Sequence, residues 1–291
     1  MVYLIDASVY VFRAYFSIPD HITDPQGNSV NAVYGFARFL ADFLKRCSPR
    51  YLAVAFDESL TTSFRNDIYP DYKANREEPP PELIAQFTHC RSLCEALGLY
   101  HLASPSFEAD DLIGTLAALA HAAGQPVTIV SRDKDLAQLI GADDVYYEFA
   151  SDQRMDYDAV AAKFGVPPER IGDWLALTGD SVDNIPGVPG IGPKTATALP
   201  SSHADIATLY DSLEEVATLP IRGARKLPDR LRQHRPAVEL ARRLTHIKCD
   251  IPLATTLADL ERQANTPQLD DLLDDLGFGQ QLRKELHRLG V

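Results

Sequence analysis

The chain has 291 residues, 45% of them hydrophobic, with 28 Lys and Arg against 41 Asp and Glu for a net charge of −13. This is apolar material for one large or two modest domains, and the composition is not that of a disordered chain. No apolar run approaches the roughly 18 residues that span a bilayer, and Asp6 falls where a secretory leader needs its apolar core, so a cytoplasmic protein without membrane contact is expected.

In chain order, residues 2–5, 52–56 and 127–130 read as buried strands. Residues 32–47, 82–97 and 108–122 carry apolar side chains at helical spacing, and 133–140 forms a weaker helix. Cys90 and Cys94 share one helical face, and with Cys47 and Cys249 they read as reduced thiols rather than a disulfide framework or a zinc site. The alternation predicts an α/β fold, a mostly parallel sheet flanked by helices over residues 1–166. After Pro167-Pro168 the strands stop. Residues 169–178 read as a helix, 187–193 as a Gly- and Pro-rich loop, and the remainder to 291 as helical.

Three of the predicted strands run into an aspartate: Asp6, Asp57 and, through Ser131-Arg132, Asp133. Any one of these is more readily a turn or helix cap, but three at the carboxyl edge of one sheet coincide with the usual ligand position of an open α/β fold. Glu108, Asp110 and Asp111 open one helix, and Asp133 and Asp135 another, where the helix dipole favours acids anyway. Asp180 and Asp183 instead follow the end of a helix, where the dipole disfavours them, so they want a cation. Nine carboxylates in one cleft would repel by several kcal/mol without divalent ions, and an all-oxygen set suits Mg2+ or Mn2+. Setting these nine aside leaves a net charge of only −4, so the acidity is local and nucleic acid is not excluded. Gln138 stands where an EF-hand loop needs Gly, and Ser8 where a haloacid-dehalogenase phosphatase needs Asp.

Phe64-Arg65 and Tyr72-Lys73-Ala74-Asn75-Arg76 supply the charge and the aromatic faces that a phosphodiester and an unpaired base require, although a solvated loop explains them equally well. Residues 222–248 hold nine Lys or Arg, among them Arg242 and Arg243, and two acids, a stretch suited to duplex phosphates or to a plain solvated helix. In Gly190-Ile191-Gly192-Pro193-Lys194, glycine-freed amides at a helix start suit a phosphate.

Together these residues resemble the 5′-nuclease family, specifically the bacterial 5′-to-3′ exonuclease and flap endonuclease domain that occurs both fused to a polymerase and free-standing. The likeness rests on Leu4-Ile5-Asp6, Ala55-Phe56-Asp57, Ser63-Phe64-Arg65, Tyr72-Lys73-Ala74-Asn75-Arg76, Phe107-Glu108-Ala109-Asp110-Asp111, Asp133-Lys134-Asp135-Leu136 and the long run from 177 to 196. Val30, where Thr is expected, and Arg132, where a small residue is expected, depart from the pattern. The resemblance implies a PIN-like 5′-nuclease core with a helical arch around 64–97. It implies next a helix-three-turn-helix DNA-binding half over 167–291, with a helix-hairpin-helix-like motif at about 185–200.

It also implies that Asp6, Asp57, Glu108 and Asp110 hold one Mg2+ or Mn2+, that Asp133, Asp135 and Asp183 hold a second, and that Asp111 and Asp180 act through water. Lys73 and Arg76 would neutralise the scissile phosphate, with Asp110 central to catalysis. Phe64, Arg65 and Tyr72 would meet frayed bases or backbone. Gly190, Gly192 and Lys194, with K+ at the hairpin, and Arg242 and Arg243 would grip duplex phosphates. The implied enzyme is a monomer, stand-alone or an excised domain, that cuts DNA at 5′ ends, flaps and branches in replication and repair. A branched-DNA scaffold with little catalysis and a PIN-class ribonuclease are the rival readings.

Overall fold

The computed structural model describes residues 1–58, 62–202 and 205–289. Six strands, β1 (Val2–Asp6), β2 (Tyr51–Asp57), β3 (Tyr100–Ser104), β4 (Val127–Val130), β5 (Val145–Glu148) and β6 (Gln153–Met155), form one sheet in the order β3-β2-β1-β4-β5-β6. All pairings are parallel except that of β5 with β6. The period of two along each strand divides the core: Ile5, Val54 and Val130 enter one layer, while Leu4, Ala53, Ala55 and Ile129 enter the other.

The helices of the first part are α1 (Ala7–Ser17), α2 (Asn31–Cys47), α3 (Phe64–Ile68), α4 (Pro81–Ala96), α5 (Ala109–Ala122) and α6 (Tyr157–Phe164). Those that follow are α7 (Ile171–Thr178), α8 (Pro193–Ser202), α9 (Ile206–Asp211), α10 (Leu213–Val216), α11 (Leu227–Thr245), α12 (Gln268–Asp275) and α13 (Gln280–His287). Phe36, Leu40, Phe43, Leu83 and Leu93 place α2 and α4 on one face of the sheet, and Leu112, Ile113 and Leu116 place α5 on the other. A separate core of Leu177, Ile185, Val188, Ile191, Leu199, Leu209, Leu231 and Val238 holds the second half together.

The range 64–97, expected as a helical arch, holds α3 and α4 with non-helical chain over 69–80 between them, and α4 has Leu83, Cys90, Leu93 and Cys94 fully buried. Two other expectations change. The segment 133–140 is a 3-10 helix, Lys134–Leu139. The last two helices do not stay with the helical half, because Leu269, Leu273, Leu282 and Leu286 pack in the same core as Phe36 and Leu93. No helix among the described residues is long and apolar enough to cross a membrane.

Candidate metal and nucleic-acid site

The chain builds β1, β2 and β3 outward in one direction, then returns to lay β4 on the other side of β1. This reversal opens a crevice beyond the carboxyl ends of β1 and β4, the topological switch point at which open α/β sheets bind ligands. Asp6 ends β1 there, Asp57 ends β2, and Asp133 lies three residues past β4. Ser131 ties two of them together, its hydroxyl donating to Asp6 Oδ2 at 2.7 Å while its oxygen accepts the Asp133 N–H at 2.9 Å. Asp57 is fixed by the Ser8 hydroxyl oxygen, which accepts its N–H, and by the Ala109 N–H, which donates to Oδ1 at 2.8 Å. That last bond joins the strand end to the first turn of α5.

Glu108 and Asp110 enter from the start of α5. Burial, then the negative charges of Asp133, Asp6, Asp57 and Glu108, push the Asp110 carboxyl well above the usual carboxylate range. Burial and Asp57 push Asp6 up to about 7, and burial raises Asp133 and Asp135 as well. Glu108 goes the other way: burial alone would raise it, but Lys73 and Arg65 outweigh that and hold it low.

From the second half, Gly179 caps α7 at φ +74°, and a side chain there would meet the Gly187 nitrogen at 2.4 Å, so the chain can cross itself and deliver Asp180 and Asp183 to the same crevice only with glycine at this point. An antiparallel bridge between Asp180 and Ile185 closes the loop. The 71–76 segment is bonded to it: the Lys73 N–H donates to the Asp183 carbonyl at 3.0 Å, Asn75 Nδ2 to the Ser181 carbonyl at 2.9 Å, and Asn184 Nδ2 to the Asp71 carbonyl at 2.7 Å. Lys73 Nζ lies 2.8 Å from Glu108 Oε1, Arg76 pairs with Asp183, and Lys134 Nζ reaches Asp180 Oδ2 at 2.6 Å.

Eight of the nine acids thus form one electrostatic community; Asp111 does not. Its carboxylate is fully buried, takes both Arg65 guanidinium nitrogens at 2.5 and 2.8 Å, and accepts the N–H of Glu108 and of Lys248. With its acceptor sites filled, Asp111 locks α5 to the segment after α11 instead of serving a metal-bound water. Arg65 is likewise buried and donates to the Leu244 carbonyl at 2.8 Å, so it is not a phosphate contact. Tyr72 is 3% exposed, its hydroxyl donating to Glu108 and Asp183, which removes it as a base-stacking face. Phe64 stays half-buried against Phe107. Serines 8 and 131, Lys134, Asn75 and Asn184 were not singled out from the sequence; the position of Ser131 directly after a buried strand was the one available signal.

Among the described residues no three His, Cys, Asp or Glu side chains converge into a preformed metal cage. The donors nonetheless fit hard divalent ions: all are oxygens, four are pushed up by neighbouring carboxylates or burial, and Asp135 Oδ1 is buried without a partner.

The distal basic residues divide. Arg242 donates to Asp173 at 2.9 Å, Arg232 pairs with Glu214 and Asp229, Arg235 with Glu239, and Lys248 with Asp250. Arg243 is exposed with no ion pair among the described residues. Lys194 is exposed at the start of α8; the Gly190 carbonyl before it accepts from Arg230 at 3.2 Å, and nothing crowds Gly192.

A family model described as 5′-3′ exonuclease, N-terminal resolvase-like domain matches residues 1–165, and one described as 5′-3′ exonuclease, C-terminal SAM fold matches 166–268. The DNA polymerase I of Rhizobium leguminosarum is 39% identical over 284 residues, 95% of this chain and 27% of the polymerase. That of Pseudomonas aeruginosa is 42% identical over 251 residues, 86% of this chain and 27% of its own. The chain therefore spans under a third of the length of these relatives. Among solved structures, the T5 D15 protein co-crystallised with metal ions aligns with a TM-score of 0.68 at 18% identity, covering 99% of this chain and 97% of that one. The catalytic core of Rad2 in complex with DNA substrate aligns with a TM-score of 0.60 at 16% identity, covering 99% and 91%. At these identities the two share the fold.

Proposed function

The chain belongs to the 5′-3′ exonuclease family, and from that premise we propose that it is a structure-specific 5′ nuclease that hydrolyses DNA phosphodiesters at 5′ ends and 5′ flaps. The observation that supports this reading is the mutual electrostatic influence of carboxylates from both halves around the topological switch point, with Lys73 and Arg76 paired to two of them. Asp6, Asp57, Glu108 and Asp110 would hold one Mg2+ or Mn2+, and Asp133, Asp135 and Asp183 a second, with Asp180 acting through water. Such a pair would supply an activated water and charge stabilisation for the leaving 3′ oxygen, so that 5′-phosphate and 3′-hydroxyl ends would result.

Within this reading Lys73 and Arg76 exchange their carboxylate partners for the oxygens of the scissile phosphate. Phe64 offers a half-exposed ring to a frayed base. Duplex phosphates would meet the amides at Gly190 and Gly192, together with Lys194 and Arg243, and the backbone carbonyls of this hairpin would hold a K+ if one binds there. Recognition then follows the shape of the junction and its free 5′ end rather than its sequence. The enzyme works as a monomer, with a catalytic part up to about residue 166, to which the 180–183 loop adds its acids and α12 and α13 their packing, and a DNA-gripping part between. The test is to incubate the chain with a 5′-flapped DNA duplex and with single-stranded RNA in Mg2+. Cleavage of the flap alone is expected; preferential cleavage of the RNA, or tight flap binding without any cutting, would sink the proposal.

A further inference from the structure

We infer that Lys134 is a tethered counter-ion that competes with a divalent cation for Asp180, and so sets the metal concentration at which the second half of the acid cluster fills. The inference rests on the nuclease reading above. Lys134 follows Asp133 and precedes Asp135 at the start of the 3-10 segment past β4, yet its ammonium crosses to the loop after α7 and sits 2.6 Å from Asp180 Oδ2. Asp180 Oδ1 already accepts the Val182 N–H at 2.8 Å, so the lysine takes the one oxygen of that carboxylate not committed to its own loop. Asp180 is 5% exposed at its side chain and Lys134 43%, so the anion is fixed while the cation stands at the solvent boundary and is free to withdraw.

The other two cations at the cluster differ in kind. Lys73 is only 10% exposed, and both Lys73 and Arg76 belong to a segment whose backbone and Asn75 are themselves bonded to the 180–184 loop. Lys134 has no such reinforcement. Beside it, Asp135 Oδ1 is buried and unpartnered, an acceptor that a hydrated cation would satisfy and an ammonium already directed to Asp180 does not. A single positive charge placed between Asp133, Asp135 and Asp180 thus stabilises the metal-free junction of the two halves and raises the threshold for its replacement.

The test is Mn2+ binding to the full chain without DNA, followed by the electron paramagnetic resonance of free Mn2+, for wild type, Lys134→Gln and Lys134→Arg. Removing a competing half-exposed ion pair should tighten the weaker Mn2+ about fivefold in Lys134→Gln, while Lys134→Arg keeps the wild-type value. Circular dichroism checks folding, and Lys134→Met makes the same comparison if the Gln variant is not folded. Unchanged or weaker Mn2+ binding in the charge-removed variant overturns the inference alone. Absence of Mn2+ binding in the wild type overturns the nuclease reading with it.

Discussion

Asp110 and Asp111 are neighbours in the first turn of α5, and the 100° between successive helical positions sends them to opposite fates. Asp111 is neutralised by Arg65 and backbone N–H groups, whereas the charges that act most strongly on Asp110 are other carboxylates. A fold that buries an unneutralised acid gives up stability for the chance to bind a cation, so the isosteric Asp110→Asn should separate the two. Cleavage at saturating Mg2+ should fall by more than about 100-fold, since even groups that only orient metal ligands are worth 10–100-fold. Melting without metal should rise by roughly 2–4 °C, the equivalent of about 1 kcal/mol of relieved repulsion. A variant that melts lower and still cuts would mean that Asp110 is an ordinary helix-start acid.

Helix α11 carries the same lesson. Arg242 and Arg243 are indistinguishable by sequence, but Arg242 reaches Asp173 on α7, where His246 Nε2 also lies 2.9 Å from the same oxygen, while Arg243 faces solvent. Arg243→Ala should therefore weaken duplex binding and reduce the salt slope by about one, whereas Arg242→Ala should lower the melting temperature first. Equal salt slopes for both variants would make Arg243 plain helix surface. The β1 and β2 strands were legible as apolar runs ending in acids, and β4 as a fully buried, β-branched run followed closely by Asp133. Strand β3, half-exposed along its length, and β6, with Gln153 and Arg154 in the open, lack that signature, and β5 buries only its two central tyrosines. Helix α1 was hidden by a run of aromatic and β-branched residues that reads as strand-like, although it packs as a helix on α2 through Tyr10 and Phe39. At the site, the acids at strand ends could be read directly. The inward turn of Arg65, Tyr72 and Asp111 could not, because it depends on which tertiary partner each side chain meets.

The two halves of the molecule are joined by the acid cluster and by the return of α12 and α13 onto α2 and α4. The joint should respond to pH and metal together. Asp6, raised to about 7, holds more protons folded than unfolded between about pH 4 and 7, and Asp110, Asp133 and Asp135 are raised as well, so the contribution of these acids to stability is present at low pH and is lost as pH rises through the folded values. A divalent ion binds the deprotonated acids and restores that loss. The melting-temperature gain from Mg2+ should accordingly be larger at pH 8 than at pH 5.5; a gain independent of pH would place the ion elsewhere. Whether two ions act at the crevice is tested most directly by the Mg2+ dependence of single-turnover cleavage of a 5′-flapped duplex, with the product ends identified. If the crevice works as proposed, the rate rises with a slope approaching two on logarithmic axes at low Mg2+ and leaves a 5′-phosphate and a 3′-hydroxyl. A first-order dependence throughout, or cleavage undiminished by chelator, would contradict it.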